Sequence, residues 1–191
     1  MEFKQVPSFE NQPIQESLKP EIKSRIQDAI RISTASPDFG LIAFHLTGDQ
    51  EQALHLGQEA MALFEKVIES DPSFVEWAYS ENEKLDGAHY PFHDGRQHPY
   101  EIALYQSMLL SYFTRPNAPL ALLPQNAIDD IIFSGIAHET GLPEGRAGHE
   151  ARGANKVKEK SPQRPMRSFG VTATTVAFTQ IEGKNTLVQH A

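Results

Sequence analysis

In the stretch ESLKPEIKSRIQDAIRIS, apolar residues return every fourth position. Leu18, Ile22, Ile26 and Ile30 form one stripe on a helix, with Pro20 in the first turn where a missing N–H costs nothing. A stripe of this kind must be buried, so the chain has to supply further helices to cover it. It does so repeatedly. LTGDQEQALHLGQEAMALFEKVIESDP carries Leu54, Met61, Leu63, Phe64, Val67 and Ile68 on one face, with Thr47 or Asp49 as its cap. PSFVEWAYSENEK predicts a short helix that turns Phe74, Trp77 and Ala78 inward. A helix beginning near His98 holds Ile102, Leu104, Tyr105, Met108, Leu109 and Phe113 at helical spacing. NAIDDIIFSGIAHE predicts a very apolar helix, and HEARGANKVKEK one that starts near His149. ASPDFG and RPNAPLALLPQ interrupt the pattern.

The expected fold class is therefore all-α. Residues 1–13 are expected to form a loose arm and residues 14–160 a single helical domain. The tail, 161–191, differs in character. SPQRPMRSFG is rich in breakers, and VTATTVAFTQIEGKNTLVQHA is rich in Thr and Val around a GKN turn signal. This predicts a loop followed by a short β-hairpin, whose edge could pair two copies into a homodimer.

Composition excludes several functions. The net charge of -8 repels phosphate backbones, which argues against nucleic acid as a partner. The chain has no cysteine, so disulfides, thiol catalysis and zinc ribbons are ruled out together. No apolar run approaches the roughly 20 residues that span a bilayer. The N-terminal residues contain no apolar h-region, and a cytoplasmic location is expected.

Chemistry concentrates in the histidines. His89, His93 and His98 share the segment AHYPFHDGRQHPYEI, while His138-Glu139 ends the apolar run IIFSGIA and His149-Glu150 follows a Gly/Pro loop. Imidazole and carboxylate together suit divalent ions of the Mn, Fe, Co, Ni and Zn type. A polar pair at the end of a buried helix needs partners or it costs free energy. His45, His55, His89 and His190 fit solvated positions, having no such context.

Taken together, YPFHDGRQHPYEI, IIFSGIAHET and HEARGA resemble the HD superfamily of metal-dependent phosphohydrolases, an all-helical fold. The likeness covers Tyr90 to Lys160, about 70 of the 191 residues. It is to the branch with a Tyr-His-Asn-x-x-His lead-in. The resemblance implies an HD-type helical bundle and a divalent metal (Mn, Fe, Ni, Co or Mg) held by His98, His138 and Glu139, with Glu150 as a further ligand. It implies His93 and His149 as catalytic imidazoles and a small phosphorylated substrate, a phosphate ester or nucleotide. Arg96, Arg146 and Arg152 stand beside these motifs as phosphate-binding candidates, with Lys156 close by. The rings of His98 and His138 are expected to converge on one ion.

The sequence departs from the family in three places. Glu139 stands where the family has Asp, and its extra methylene moves the carboxylate by about 1.5 Å. His93 and His98 are one residue further apart than in the usual lead-in. No aspartate occurs between Ile131 and Ala191, so the family's distal Asp ligand has no counterpart. These departures carry the alternative expectation, an impaired HD-like domain that acts as a binding or regulatory module.

Overall fold

A computed structural model of the 191-residue chain describes residues 18–84, 97–145 and 148–174. Seven α-helices follow in order among the described residues: α1 (Pro20–Ala35), α2 (Pro37–Thr47), α3 (Gln50–Ser70), α4 (Pro72–Asn82), α5 (His98–Phe113), α6 (Gln125–Ala137) and α7 (His149–Lys160). A helical stretch at 165–174, here α8, completes them. The architecture is all-α, as the apolar spacing predicts. No described helix is long and apolar enough to cross a membrane. The N-terminal arm, and residues 175–191 of the expected hairpin with the dimer edge it would offer, lie outside the described residues.

Each helix starts where local chemistry favours it. Pro20, Pro37, Pro72 and Pro99 all occupy first-turn positions, where their absent N–H leaves nothing unsatisfied. The interruption at ASPDFG is a single residue wide. Ser36 caps α2 by accepting from the Asp38 N–H at 3.3 Å, and the chain turns straight back into helix. Asp49, not Thr47, caps α3, accepting from the Gln52 N–H at 2.9 Å. Thr47 instead closes α2, its hydroxyl donating to the Ala43 carbonyl at 2.9 Å. Between the two helices Gly48 takes a left-handed conformation, φ 71°, that glycine adopts without strain.

The core forms where α3 packs on α5 and α5 on α6, with α1 and α2 closing one side. Phe64, Ile68, Leu104, Met108, Ile132 and Ile136 are fully enclosed there, joined by Ile22 and Ile26 from the stripe of α1. The α5–α6 pair is antiparallel. Gly135 lies against the backbone of Ala103, while His138 meets His98. A Cβ at Gly135 would fall 3.0 Å from the Ala103 Cα, so a side chain there would press the two backbones apart.

The stretch expected to be a loop and the start of a strand is α8 instead. Pro165 begins it, and the helix runs parallel to α6, because Arg164 reaches the Asn126 carbonyl (3.0 Å) and Arg167 reaches Asp130 (3.0 Å). Gly170 presses against Ser134, and Val171 is buried against Gly153. Tertiary contacts override the strand preference of Thr and Val here.

Arg167 is the centre of this docking. Its guanidinium binds Asp130 and, at 2.8 Å, Asp71 Oδ2. It also stacks 4.1 Å from the Phe133 ring centroid and 4.5 Å from that of Phe74. Partial burial works against ionisation of Asp71, but hydrogen bonds from Arg167, Ser73 and the Phe74 N–H outweigh it and hold its pKa below the ordinary value of 3.8. A carboxyl depressed in the folded state adds stability above its unfolded pKa and loses it as pH falls through the folded value. Urea unfolding of wild type and Asp71→Asn should therefore differ most above about pH 4, and the gap should close in stronger acid. A pH-independent gap would contradict this.

Candidate metal centre

The antiparallel crossing of α5 and α6 brings the first residue of one helix against the C-cap of the other. His98 and His138 face each other with ring centroids 5.3 Å apart at 69°. Glu139 joins them, and one donor atom from each of the three lies within 4.8 Å of the others. The sequence motifs place this trio, and the fold brings it together.

The His138 ring is buried, with 1% of its side chain exposed. Its Nδ1 lies 2.6 Å from the Gly135 carbonyl oxygen. A carbonyl can only accept, so the Nδ1 hydrogen is committed to it. This leaves Nε2 facing Glu139 Oε1 at 3.0 Å. A neutral ring would then oppose its lone pair to a carboxylate. The pair needs a cation, either a second proton on His138 or a metal ion. Fixing one ring nitrogen on a backbone carbonyl is how proteins orient a histidine for metal binding.

Glu139 is suited to anionic duty. Burial raises its pKa, but the hydrogen bond from His138 and the charges of His98 and His149 more than offset this and hold it at about 2. Its second oxygen, Oε2, is buried and accepts no hydrogen bond among the described residues. An enclosed carboxylate oxygen without a donor costs free energy unless something positive meets it.

The turn after α6 is held from several sides. Thr140 Oγ1 donates to the Ala137 carbonyl at 2.8 Å, Lys156 Nζ to the Thr140 carbonyl at 3.0 Å, and Asn82 Nδ2 to the Ile136 carbonyl at 3.1 Å. Lys156 also pairs with Glu81 (3.0 Å) and Glu144 (2.8 Å). Gly141 abuts the start of α7 so closely that a Cβ would collide with the His149 carbonyl oxygen and lie 2.5 Å from the Gly153 nitrogen.

The remaining expected site residues fall as follows. His149 is buried at the start of α7, close enough to influence Glu139, and its Nδ1 lies 3.5 Å from Glu150 Oε2. Glu150 stands outside the three-donor group. Arg152 donates to the carbonyls of Gly141 (3.2 Å) and Gly145, clamping the turn between α6 and α7. His93, Arg96 and Arg146 lie outside the described residues, as does His89. Sequence reasoning missed Asn82 and the Asp130–Arg167 network. Nothing in SENEK or SPQRPMRSFG marks those side chains for burial.

Comparison of the chain with known protein families, with curated proteins and with solved structures finds no match.

Proposed function

We propose that the chain is a metal-dependent phosphohydrolase of HD type, acting on a phosphate ester or nucleotide, with one divalent ion held by His98, His138 and Glu139. The observation that carries this reading is the buried His138–Glu139 contact. A ring whose Nδ1 hydrogen is spent on Gly135 meets a carboxylate at 3.0 Å, with His98 alongside. The residues fit a divalent transition ion: two imidazoles and a carboxylate are borderline donors of the kind Mn, Fe, Co and Ni accept. The undonated Glu139 Oε2 adds an anionic oxygen to the same place.

A divalent ion there supplies Lewis-acid polarisation of a phosphoryl oxygen and lowers the pKa of bound water. The chain's own groups do the rest. The Gly135 carbonyl keeps the His138 ring in one tautomer, with Nε2 turned toward the Glu139 carboxylate. We assign the proton transfer to the leaving oxygen to His149, a buried imidazole close enough to influence Glu139. His93 keeps the proton-donor role that the resemblance implies, and Arg96 and Arg146 stay phosphate-binding candidates by their nearness to the motifs.

A second reading has one specific observation in its favour. Three donors among the described residues, with Glu150 outside the group and no aspartate after Asp130, make an incomplete set beside the family pattern. In that case the chain binds metal or nucleotide as a regulatory module without turnover.

Elemental analysis of the protein purified with added Mn²⁺, followed by hydrolysis assays on a phosphomonoester, a phosphodiester and a nucleotide, separates these readings. One equivalent of metal with metal-dependent turnover is expected. Metal without turnover selects the binding module; protein that retains no metal sinks the hydrolase, and protein that retains neither metal nor nucleotide sinks the module as well.

A further inference from the structure

The carbonyls at the end of a helix point along its axis, beyond its last turn. At the end of α6 this places the Ile136 carbonyl beside the His138–Glu139 pair. It accepts from Asn82 Nδ2 at 3.1 Å, a buried bond that ties the last residue of α4 to a residue 54 positions later. Asn82 is an expensive choice for packing alone. It is 3% exposed, and its Oδ1 is buried with no hydrogen-bond partner among the described residues. An unmade hydrogen bond in such surroundings lowers stability, so the side chain is retained for the bond its Nδ2 makes to the Ile136 carbonyl.

The other supports of this turn differ in kind. The Thr140 hydroxyl acts within its own turn, and Lys156 is only partly buried and divides itself among Glu81, Glu144 and the Thr140 carbonyl. Asn82 reaches the last turn of α6 from another helix, through a bond that is fully buried.

We infer that Asn82 is a positioning residue for the cation site: by gripping the Ile136 carbonyl it sets the pitch of the last turn of α6, and so the direction in which His138 and Glu139 present their donors. The inference rests on the metal reading above and adds a residue that touches no ion. Outer-shell partners of this kind govern metal affinity through the ligands they orient.

The test is Co²⁺ titration of the full chain, followed by visible absorption and calorimetry, for wild type and Asn82→Leu. Wild type is expected to bind one equivalent. Asn82→Leu should bind Co²⁺ about 10–100-fold more weakly, and at saturation its ligand-field bands should shift, because the donors are re-aimed. A purely structural role predicts a lower melting temperature with unchanged affinity and unchanged bands, and that result overturns the inference. Should Asn82→Leu not fold, Asn82→Ser carries the same expectation, since water in the vacated space holds the carbonyl less rigidly. Wild type that binds no Co²⁺ overturns the metal reading itself, which separates the two failures.

Discussion

His138→Ala is expected to abolish stable metal binding while leaving the helical fold in place. His138 is the one donor of the three that is completely enclosed, and its ring is already oriented by the Gly135 carbonyl. Removing a direct ligand should weaken Mn²⁺ or Co²⁺ binding by more than the roughly 10–100-fold that outer-shell changes cost. The remaining pair, His98 and Glu139, offers an ion two donors from two elements, too few to hold it against water. The fold should survive because His138 sits at the C-cap of α6, where alanine is compatible with the helical backbone and no core aliphatic is lost. Metal analysis beside far-UV circular dichroism checks both parts. Equal metal content in variant and wild type would defeat the assignment. Loss of metal together with loss of helix would move the question to Glu139→Gln, which keeps the shape and removes the charge.

Arg167→Met should cost about 3–5 kcal/mol of folding stability, the usual consequence of removing one partner from a buried ion pair. Arg167 and Asp130 are both almost fully enclosed, with 3% and 4% of their side chains exposed. Methionine can fill much of the space between the Phe74 and Phe133 rings, so the loss should come mainly from charge. Asp130 would keep Arg164 at 2.8 Å but lose its buried partner, and Asp71 would lose its cation. The double variant Asp130→Leu, Arg167→Met should be less destabilised than the sum of the two single changes, since the stranded carboxylate is then gone as well. Urea denaturation of the three variants measures this directly. A single-variant cost below about 1 kcal/mol, the range of exposed pairs, would show that the network contributes little. Metal affinity gives a second readout: α8 lies along α6, so its detachment should loosen the helix that carries His138.

The helical segments were legible because their cause is local. A stripe such as Leu18, Ile22, Ile26 and Ile30 declares both a helix and the face it buries, and a proline in the first turn declares where it begins. The edges were less so. Ser36 turns a break into a cap, and α2 carries apolar residues on more than one face, Leu41 and Ile42 being exposed, so no single stripe stands out. The end of the described chain departs from its local preference for a different reason. Thr and Val near 171–174 favour strand in isolation, yet the ladder of contacts from Arg164 and Arg167 to α6 makes them helix.

The candidate site divides in the same way. The sequence by itself determined the donor types, since His98 at a helix start and His138-Glu139 at a helix end are local facts of motif and apolar spacing. Only the tertiary structure decided that these ends meet. That depended on the antiparallel crossing of α5 and α6, which a glycine at 135 allows to be close, and on backbone carbonyls whose partners come from elsewhere in the chain. Periodicity reports which face of a helix is buried, but not which neighbour buries it. The convergence of side chains, and the burial of Asn82 and Arg167, follow from that second choice.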